Sequence, residues 1–300
     1  MYEVGPRDGL QNEPAVIPTA DKIAFVDALS AAGVPAIEVG AFVSPSRVPQ
    51  MADTAEVFAG IKRRAGTRYI ALVPNLPGLN RAAKAGVSEI AVFAAASETF
   101  SRRNINQSID DSLKTYGEVA RKAIAGGMRV RAYLSTAFGC PFEGAVKVTR
   151  VIDLTRRLLD LGAYEVAVSD TIGVAHPGQV REVLRDMTAA FKSRELALHF
   201  HDTRGTALAN VLAALDFGIT TFDSSAGGLG GCPYAPGATG NLATEDLLYL
   251  MQGLGQETGI NLDAVCQASV ALEPALGHPL PSRFVRAHEA SRARQSDARS

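Results

Sequence analysis

ALHFHDTRGTALANVLAALDFGITTFD, residues 197–223, carries the clearest structural signal in this chain. It begins with an apolar run at Ala197–Phe200, continues through an alanine- and leucine-rich helical segment at Leu208–Phe217, and ends in a second short run at Thr221–Asp223. Gly218 follows the helical segment, where glycine readily adopts the left-handed conformation that ends a helix. This order predicts one β/α unit of a parallel sheet.

The same unit recurs along the whole chain. The predicted strands are Tyr2–Val4, Ala36–Val39, Arg68–Leu72, Glu89–Phe93, Arg129–Leu134, Glu165–Ser169, Ala197–Phe200 and Thr221–Asp223. The clearest predicted helices are Lys22–Ala32, Leu113–Ala125, Val148–Leu161, Pro177–Phe191, Leu208–Phe217 and Thr244–Leu254. The glycines expected to close helices are Gly33, Gly86, Gly126, Gly162 and Gly218. Eight units without a Pro/Gly/Ser-rich linker favour a closed (β/α)8 TIM barrel with additional C-terminal helices.

The 300 residues are long enough for one such barrel, which usually takes roughly 250 residues. We predict a single catalytic domain over residues 1–300, with the barrel at about 1–255 and a helical extension and polar tail at 256–300. The first strand is short, so we expect the chain to begin slightly inside its natural first strand. A doubly wound open sheet is the alternative, but the early loop Gly5–Gly9 fits neither GxGxxG nor a P-loop.

Charge and composition favour small-molecule chemistry. Thirty basic and thirty-one acidic side chains give a net charge of −1, so no overall positive field attracts nucleic acid. No apolar run approaches the roughly 20 residues that span a bilayer, which disfavours a membrane role. The cysteines Cys140, Cys232 and Cys266 show no CxxC spacing, and the start of the chain resembles neither a signal nor a transit peptide. We therefore expect a cytoplasmic protein.

The active site of such a barrel lies at the carboxyl ends of its strands. His199 and His201 are one residue apart in a strand, so they face the same side and can share one ion. With a carboxylate such as Asp8 and a carbonyl oxygen such as Asn241, they form a mixed N/O set that suits magnesium or manganese. The alternative is a pair of hydrogen-bonded histidines in a polar barrel mouth, and the spacing leaves both open.

The other polar residues after strands each have a structural alternative. Asp8 beside Arg7 is compatible with a turn-stabilising residue next to an arginine. Glu38 is compatible with a simple ion pair to Arg7, and Asp170 with a helix cap.

The glycine-rich loop at 227–241, GGLGGCPYAPGATGN, is a stronger signal. It follows the eighth predicted strand, and its glycines are typical of a mobile lid over a pocket. A core thiol is seldom placed among glycines, so Cys232 is favoured as a proton donor or nucleophile on that lid rather than as a structural cysteine.

Six segments together resemble the hydroxymethylglutaryl-CoA lyase family, in the same order and over nearly the whole chain. They are EVGPRDGLQNEP (3–14), AFVSPSRVPQMAD (41–53), GCPFEG (139–144), SDTIGVAHPG (169–178), HFHDTRGTALAN (199–210) and GGLGGCPYAPGATGNLATEDL (227–247). The resemblance implies a (β/α)8 fold, a divalent metal, and cleavage of 3-hydroxy-3-methylglutaryl-CoA into acetoacetate and acetyl-CoA.

The resemblance also implies residue roles. The implied metal ligands are Asp8, His199, His201 and Asn241. Arg7 is expected to bind the thioester carbonyl, with Gln11 as a further substrate contact and Cys232 as the lid thiol. Glu38 and Asp170 match acidic positions near the reaction centre, and Asp170 or a water on the metal is the candidate base.

One departure affects the expected substrate. Residues 39–41 are Val-Gly-Ala, whereas animal-type members carry small hydroxylated residues there, so we expect fewer hydroxyls near the acyl pocket. Longer branched analogues and citramalyl-CoA therefore stay open as substrates. For the CoA moiety, Arg102, Arg103 and residues 104–106 are candidates, although a solvated basic turn explains them equally well.

Two rival functions remain to be tested. A condensing synthase resembling isopropylmalate or homocitrate synthase would share the Arg7–Asp8 start, but it would carry Gly-Glu-Arg in place of the Cys232 loop. A non-catalytic barrel would have kept only the fold. The expected partner is an acyl-CoA substrate, with homo-oligomer formation possible.

Overall fold

A computed structural model describes residues 1–231 and 240–297. The described residues form eight strands, β1 Tyr2–Glu3, β2 Ala36–Ala41, β3 Arg68–Leu72, β4 Glu89–Ala95, β5 Arg129–Ser135, β6 Val166–Asp170, β7 Leu196–Phe200 and β8 Phe222–Ser224. Each strand pairs in parallel with the next, and β1 pairs with β8. The predicted TIM barrel is confirmed.

Twelve α-helices surround and follow this barrel in the same described ranges. They are α1 Thr19–Ala31, α2 Thr54–Gly60, α3 Leu76–Lys84, α4 Glu98–Ile105, α5 Ile109–Ala125, α6 Val148–Asp160, α7 Pro177–Ala190, α8 Ala207–Leu215, α9 Thr244–Gly253, α10 Leu262–Val270, α11 Glu273–Leu276 and α12 Arg283–Asp297. Gly218 has a φ of 72°, as expected after α8. After α5, the left-handed conformation is adopted by Gly127, whereas Gly126, the predicted residue, has a negative φ. No helix of residues 1–231 or 240–297 combines the length and the apolar composition needed to span a bilayer.

The C-terminal segment, predicted as a helical extension and polar tail, is helical over most of its described length. Residues Arg283–Asp297 form α12, and its first turn is anchored to α9. Asp246 accepts hydrogen bonds from the backbone N–H groups of Arg283 (3.2 Å) and Phe284 (2.8 Å), and the Phe284 ring packs on Tyr249 at 5.5 Å between centroids. The carboxylate satisfies N–H groups that a helix start leaves unpaired.

Two buried glutamates hold the segment after the last strand, Glu3 from the first strand and Glu245 from α9. Glu3 Oε1 accepts hydrogen bonds from the N–H groups of Gly5 (2.7 Å) and Ala226 (2.9 Å). Glu245 in α9 accepts from Gly227 N–H (2.9 Å) and from the Ser269 hydroxyl (2.5 Å). Burial raises the pKa of Glu3 to about 7 and that of Glu245 to about 8, because a charged carboxylate is costly away from water.

These raised pKa values predict a stability that falls as pH rises. The folded state holds protons that the unfolded state releases above its lower carboxyl pKa, so this contribution is complete below about pH 4.5 and is lost as pH passes about 8. One such proton changes the unfolding free energy by up to about 1.4 kcal/mol per pH unit. In denaturant unfolding, the unfolding free energy of Glu245→Gln should fall less between pH 6 and 9 than that of wild type. The exposed Glu257→Gln is the control, and equal slopes in all three proteins would contradict the prediction.

Candidate metal centre and active site

The Arg7–Asp8 segment is presented by a tight turn at the carboxyl end of β1. Residues Gly5–Gly9 form a π-helical turn in which the N–H groups of Arg7, Asp8 and Gly9 all donate to the Val4 carbonyl, at 3.1, 2.7 and 3.2 Å. The hydrogen bond from Gly5 N–H to Glu3 anchors the start of the turn. The turn thereby places both side chains at the barrel mouth.

Arg7 is buried and held from two sides. Its Nε donates to Glu38 Oε2 (2.7 Å) and its Nη1 to Asp8 Oδ1 (2.6 Å), while the Tyr133 hydroxyl donates to the same Glu38 oxygen (2.9 Å). Burial alone would lower the pKa of Arg7, but the Glu38 and Asp8 carboxylates outweigh it and raise that pKa. Arg7 is therefore a permanent, preorientated cation.

The four predicted metal ligands lie together. Asp8, His199 and His201 offer ligand atoms within 4.8 Å of one another. The distance from His199 Nε2 to Asp8 Oδ2 is 4.0 Å, and the two imidazole rings are 5.2 Å apart between centroids. Asn241 Nδ2 donates to Asp8 Oδ2 and to the Leu229 carbonyl, both at 3.0 Å. The sequence-based expectation that these groups converge is met.

Two buried atoms in this cluster fit a bound cation. Among the described residues, His201 Nδ1 and Asn241 Oδ1 are buried and have no hydrogen-bond partner. Unsatisfied buried polar atoms are costly, and an ion would satisfy both. Burial, with the neighbouring His199, lowers the pKa of His201 to about 4, so this imidazole is neutral and has a lone pair to donate. The donor set of imidazole, carboxylate and amide oxygen suits a divalent metal.

A cavity of about 740 Å³ opens on the cluster. Arg7, Asp8, Gln11, His199 and His201 line it together with Phe93, Phe100, Ile105 and Tyr116. The combination of a few polar groups with apolar walls is typical of a small-molecule site. Gln11 Nε2 also donates to Asp8 Oδ1 (2.9 Å), so this predicted substrate contact lies at the cavity and steadies a predicted ligand.

Asp170 lies where the sequence suggested, but its carboxylate is engaged elsewhere. Its Oδ1 accepts from Val174 N–H and its Oδ2 from Ala175 N–H, both at 2.9 Å. It is not one of the described residues that line the cavity. Burial raises the pKa of its carboxyl, against the pull of these two amides. Both oxygens therefore hold the loop after β6, and each keeps a second lone pair.

Residues 39–41 also differ from the expectation. The described cavity lining contains none of them. A Cβ at Gly40 would lie 2.7 Å from Thr54 Oγ1, and the Ala41 N–H donates to the same oxygen at 3.2 Å. At Gly40 the departure from the animal-type pattern therefore concerns the packing of β2 against α2, and the expectation of fewer hydroxyls near the acyl pocket finds no support in the described cavity lining.

The residues suggested for CoA binding divide into two groups. Arg103 stacks on the Phe142 ring at 4.3 Å, and Arg102 lies 3.8 Å from Glu98, so both guanidinium groups have partners within the protein. Asn104 and Ile105 line the cavity, as does the exposed Arg47, which sequence reasoning missed. Cys232 belongs to residues 232–239 and lies outside the described residues.

Sequence reasoning noted Asp223 only as a polar residue at the end of the eighth strand, and it missed Arg131 and Tyr133 as partners of the site inside the barrel. Tyr133, Arg131 and Asp223 are buried there, although barrel interiors are usually filled with branched apolar side chains. A charged residue and a tyrosine two positions apart in β5 were the available signal, since such positions share one face of a strand.

A closed parallel barrel with a carboxylate–imidazole–amide cluster at its carboxyl mouth defines a TIM-barrel enzyme that uses a divalent metal. The HMGL-like family model matches residues 1–271, most of the chain. The chain belongs to the HMGL-like family.

Named relatives cover nearly the whole chain. A 3-hydroxy-3-isohexenylglutaryl-CoA/hydroxymethylglutaryl-CoA lyase of Pseudomonas aeruginosa is 53% identical over 96% of this chain and 96% of its own length. The hydroxymethylglutaryl-CoA lyase YngG of Bacillus subtilis is 48% identical over 97% of each chain. The crystal structure of hydroxymethylglutaryl-CoA lyase from P. aeruginosa superposes with a TM-score of 0.95 at 52% identity, covering 97% of each chain.

Proposed function

We propose that this chain is a lyase that cleaves 3-hydroxy-3-methylglutaryl-CoA into acetoacetate and acetyl-CoA. The observation that carries this is the meeting of Arg7 with Asp8, His199, His201 and Asn241 at one cavity. Relatives at 48% and 53% identity are named as lyases of this substrate, which favours cleavage over the condensing synthase or a non-catalytic barrel.

The reaction breaks the bond between C2 and C3 of the acyl group. The C3 hydroxyl loses its proton, its oxygen becomes the ketone of acetoacetate, and the electron pair of the broken bond passes to the acetyl-CoA thioester as an enolate. A proton is then delivered to C2. Asp8, His199, His201 and Asn241 would hold a magnesium or manganese ion, which when bound supplies a Lewis acid that lowers the pKa of the C3 hydroxyl.

Arg7 stabilises the enolate oxygen as negative charge develops there. Its Nε and Nη1 are engaged by Glu38 and Asp8, and these bonds orient the remaining donor edge of the fork. A donor that is already fixed does not have to reorganise during the reaction, which is the main source of electrostatic catalysis. In this proposal Glu38 positions Arg7 and does not itself contact the substrate.

The candidate proton acceptors are Asp170 and a water on the ion. Each oxygen of Asp170 accepts one backbone N–H and keeps a second lone pair. Asp8, His199 and His201 are excluded from this role, because the ion would take their lone pairs.

Cys232 is proposed as the acid that protonates C2. Cys232→Ser should lower kcat at least tenfold, since a hydroxyl is a far weaker acid than a thiol. Steady-state kinetics measure the effect, with Cys266→Ser as the control because Cys266 is a buried residue of α10. A kcat for Cys232→Ser equal to that of the control would remove Cys232 from the mechanism.

A panel assay tests the proposal as a whole. Purified chain with Mg²⁺ or Mn²⁺ should release acetyl-CoA from hydroxymethylglutaryl-CoA, and the panel includes an isohexenyl analogue and citramalyl-CoA. If only an analogue is cleaved, the proposed reaction type stands and the proposed substrate is replaced by that analogue. No release from any of these esters would end the lyase proposal.

The remaining assignments stay predictions. They are the choice between magnesium and manganese, a cytoplasmic location, a homo-oligomer, and the division into a barrel at about 1–255 and an extension at 256–300.

A further inference from the structure

We infer that Asp223 positions His199 for metal binding, and that Arg131 holds Asp223 in place. The inference rests on the proposed metal site, and it concerns residues behind that site. Asp223 lies in β8 and is fully buried inside the barrel. Its Oδ2 is 3.2 Å from His199 Nδ1, on the side of the imidazole ring away from Asp8.

The contact selects one form of His199. Asp223 is paired with Arg131 and is present as a carboxylate, which can only accept hydrogen bonds. The 3.2 Å contact therefore requires a proton on His199 Nδ1. The neutral ring then has its lone pair on Nε2, the atom that lies 4.0 Å from Asp8 Oδ2. Asp223 thus presents the correct nitrogen to the ion and restrains the rotation of the ring.

Asp223 is itself held by a two-point ion pair. Arg131 Nη2 donates to Asp223 Oδ1 (2.7 Å) and Nη1 to Oδ2 (3.2 Å). Arg131 is fully buried, its Nε donates to Glu165 Oε1 (2.8 Å), and its guanidinium stacks on the Tyr2 ring at 3.8 Å. The planar fork leaves the carboxylate little freedom to rotate.

The two histidines are held differently. His199 has a carboxylate behind it, whereas His201 Nδ1 is one of the described buried atoms without a partner. The His199 imidazole is oriented by the protein without the ion, whereas His201 Nδ1 would gain a partner from the ion. We therefore expect the Asp223 contact to affect how tightly the ion binds, and not only how stable the barrel is.

Manganese binding to the Asp223→Asn variant tests this inference without substrate. An asparagine can donate to Nδ1 and favour the wrong tautomer, so the Mn²⁺ dissociation constant, measured by electron paramagnetic resonance, should rise about 10–100-fold. Glu165→Gln is the matched control, because it removes the other carboxylate partner of Arg131 without touching His199. Its Mn²⁺ affinity should stay within about threefold of wild type. Unchanged affinity in Asp223→Asn, or an equal loss in both variants, would overturn the inference.

The wild-type chain provides a second test if the variant does not fold. Histidine ¹⁵N NMR of the metal-free protein in weakly alkaline buffer should show His199 protonated at Nδ1, with the signal assigned through a His199→Gln variant. Protonation at Nε2 would refute the inference. Because both tests use metal binding and tautomer signals, their failure is distinguishable from a failure of the lyase assay.

Discussion

Arg7→Met is expected to lower kcat by about 10²–10³-fold, the effect of removing a fixed donor from a developing oxyanion. The barrel should stay folded, because Glu38 is fully buried and burial already raises its pKa, so it can take up a proton when its partner is lost. Arg7→Lys should recover little of the rate, since an ammonium group cannot reproduce the fork that meets Glu38 and Asp8 together.

Steady-state kinetics separate this role from simple substrate binding. A contact made mainly in the transition state lowers kcat and kcat/KM together, whereas a binding contact raises KM alone. Arg63→Met is the control. Arg63 precedes β3 and donates to the Ala85 and Gly86 carbonyls, which precede β4, so it lies at the opposite end of the barrel. A kcat for Arg7→Met within threefold of this control would exclude Arg7 from the reaction.

Asp8→Asn is expected to raise the Mn²⁺ dissociation constant by at least about 100-fold. This exceeds the usual effect of replacing a residue that only hydrogen-bonds to a metal ligand. Asp8 is the carboxylate of the candidate metal cluster, and its negative charge offsets that of the cation. Activity should fall in parallel and recover in part when Mn²⁺ is raised, because mass action refills a weakened site.

The measurement is the Mn²⁺ dependence of both the melting temperature and kcat/KM. Wild type should gain thermal stability with Mn²⁺, and Asp8→Asn should not over the same concentrations. Asp216→Asn is the control, an exposed carboxylate at the end of α8 before β8 and remote from the cavity. A Mn²⁺-induced rise in melting temperature for Asp8→Asn equal to that of wild type would remove Asp8 from the ligand set.

Much of the site could be predicted because its geometry follows from local rules. The alternation of side chains along a strand places His199 and His201 on one side, and barrel closure places β1 next to β8, which pairs on its other side with β7. Residues that end these neighbouring strands must therefore meet at one mouth. The approach of Asp8 to His199 is a consequence of strand order and not of any local motif.

The residues that were harder to place have several possible partners. Asp170 could accept a substrate proton or backbone N–H groups, and the structure shows Val174 and Ala175 donating to its two oxygens. A side chain at position 40 could face the cavity or the helices, and contact with Thr54 shows that it would face the helices. The sequence shows which hydrogen-bond donors and acceptors are present, but only the tertiary structure shows which of them lie close enough to pair.

The order of strands and helices, the closed barrel and the identities of the candidate ligands were all readable from residue pattern, because hydrophobic period and strand-end position are local properties. The pairings of Arg131 with Asp223 and of Asp223 with His199 were not. They join residues 92 and 24 positions apart. They exist because barrel closure brings side chains of β5, β7 and β8 into one interior away from water, where a charge must be paired with other protein groups.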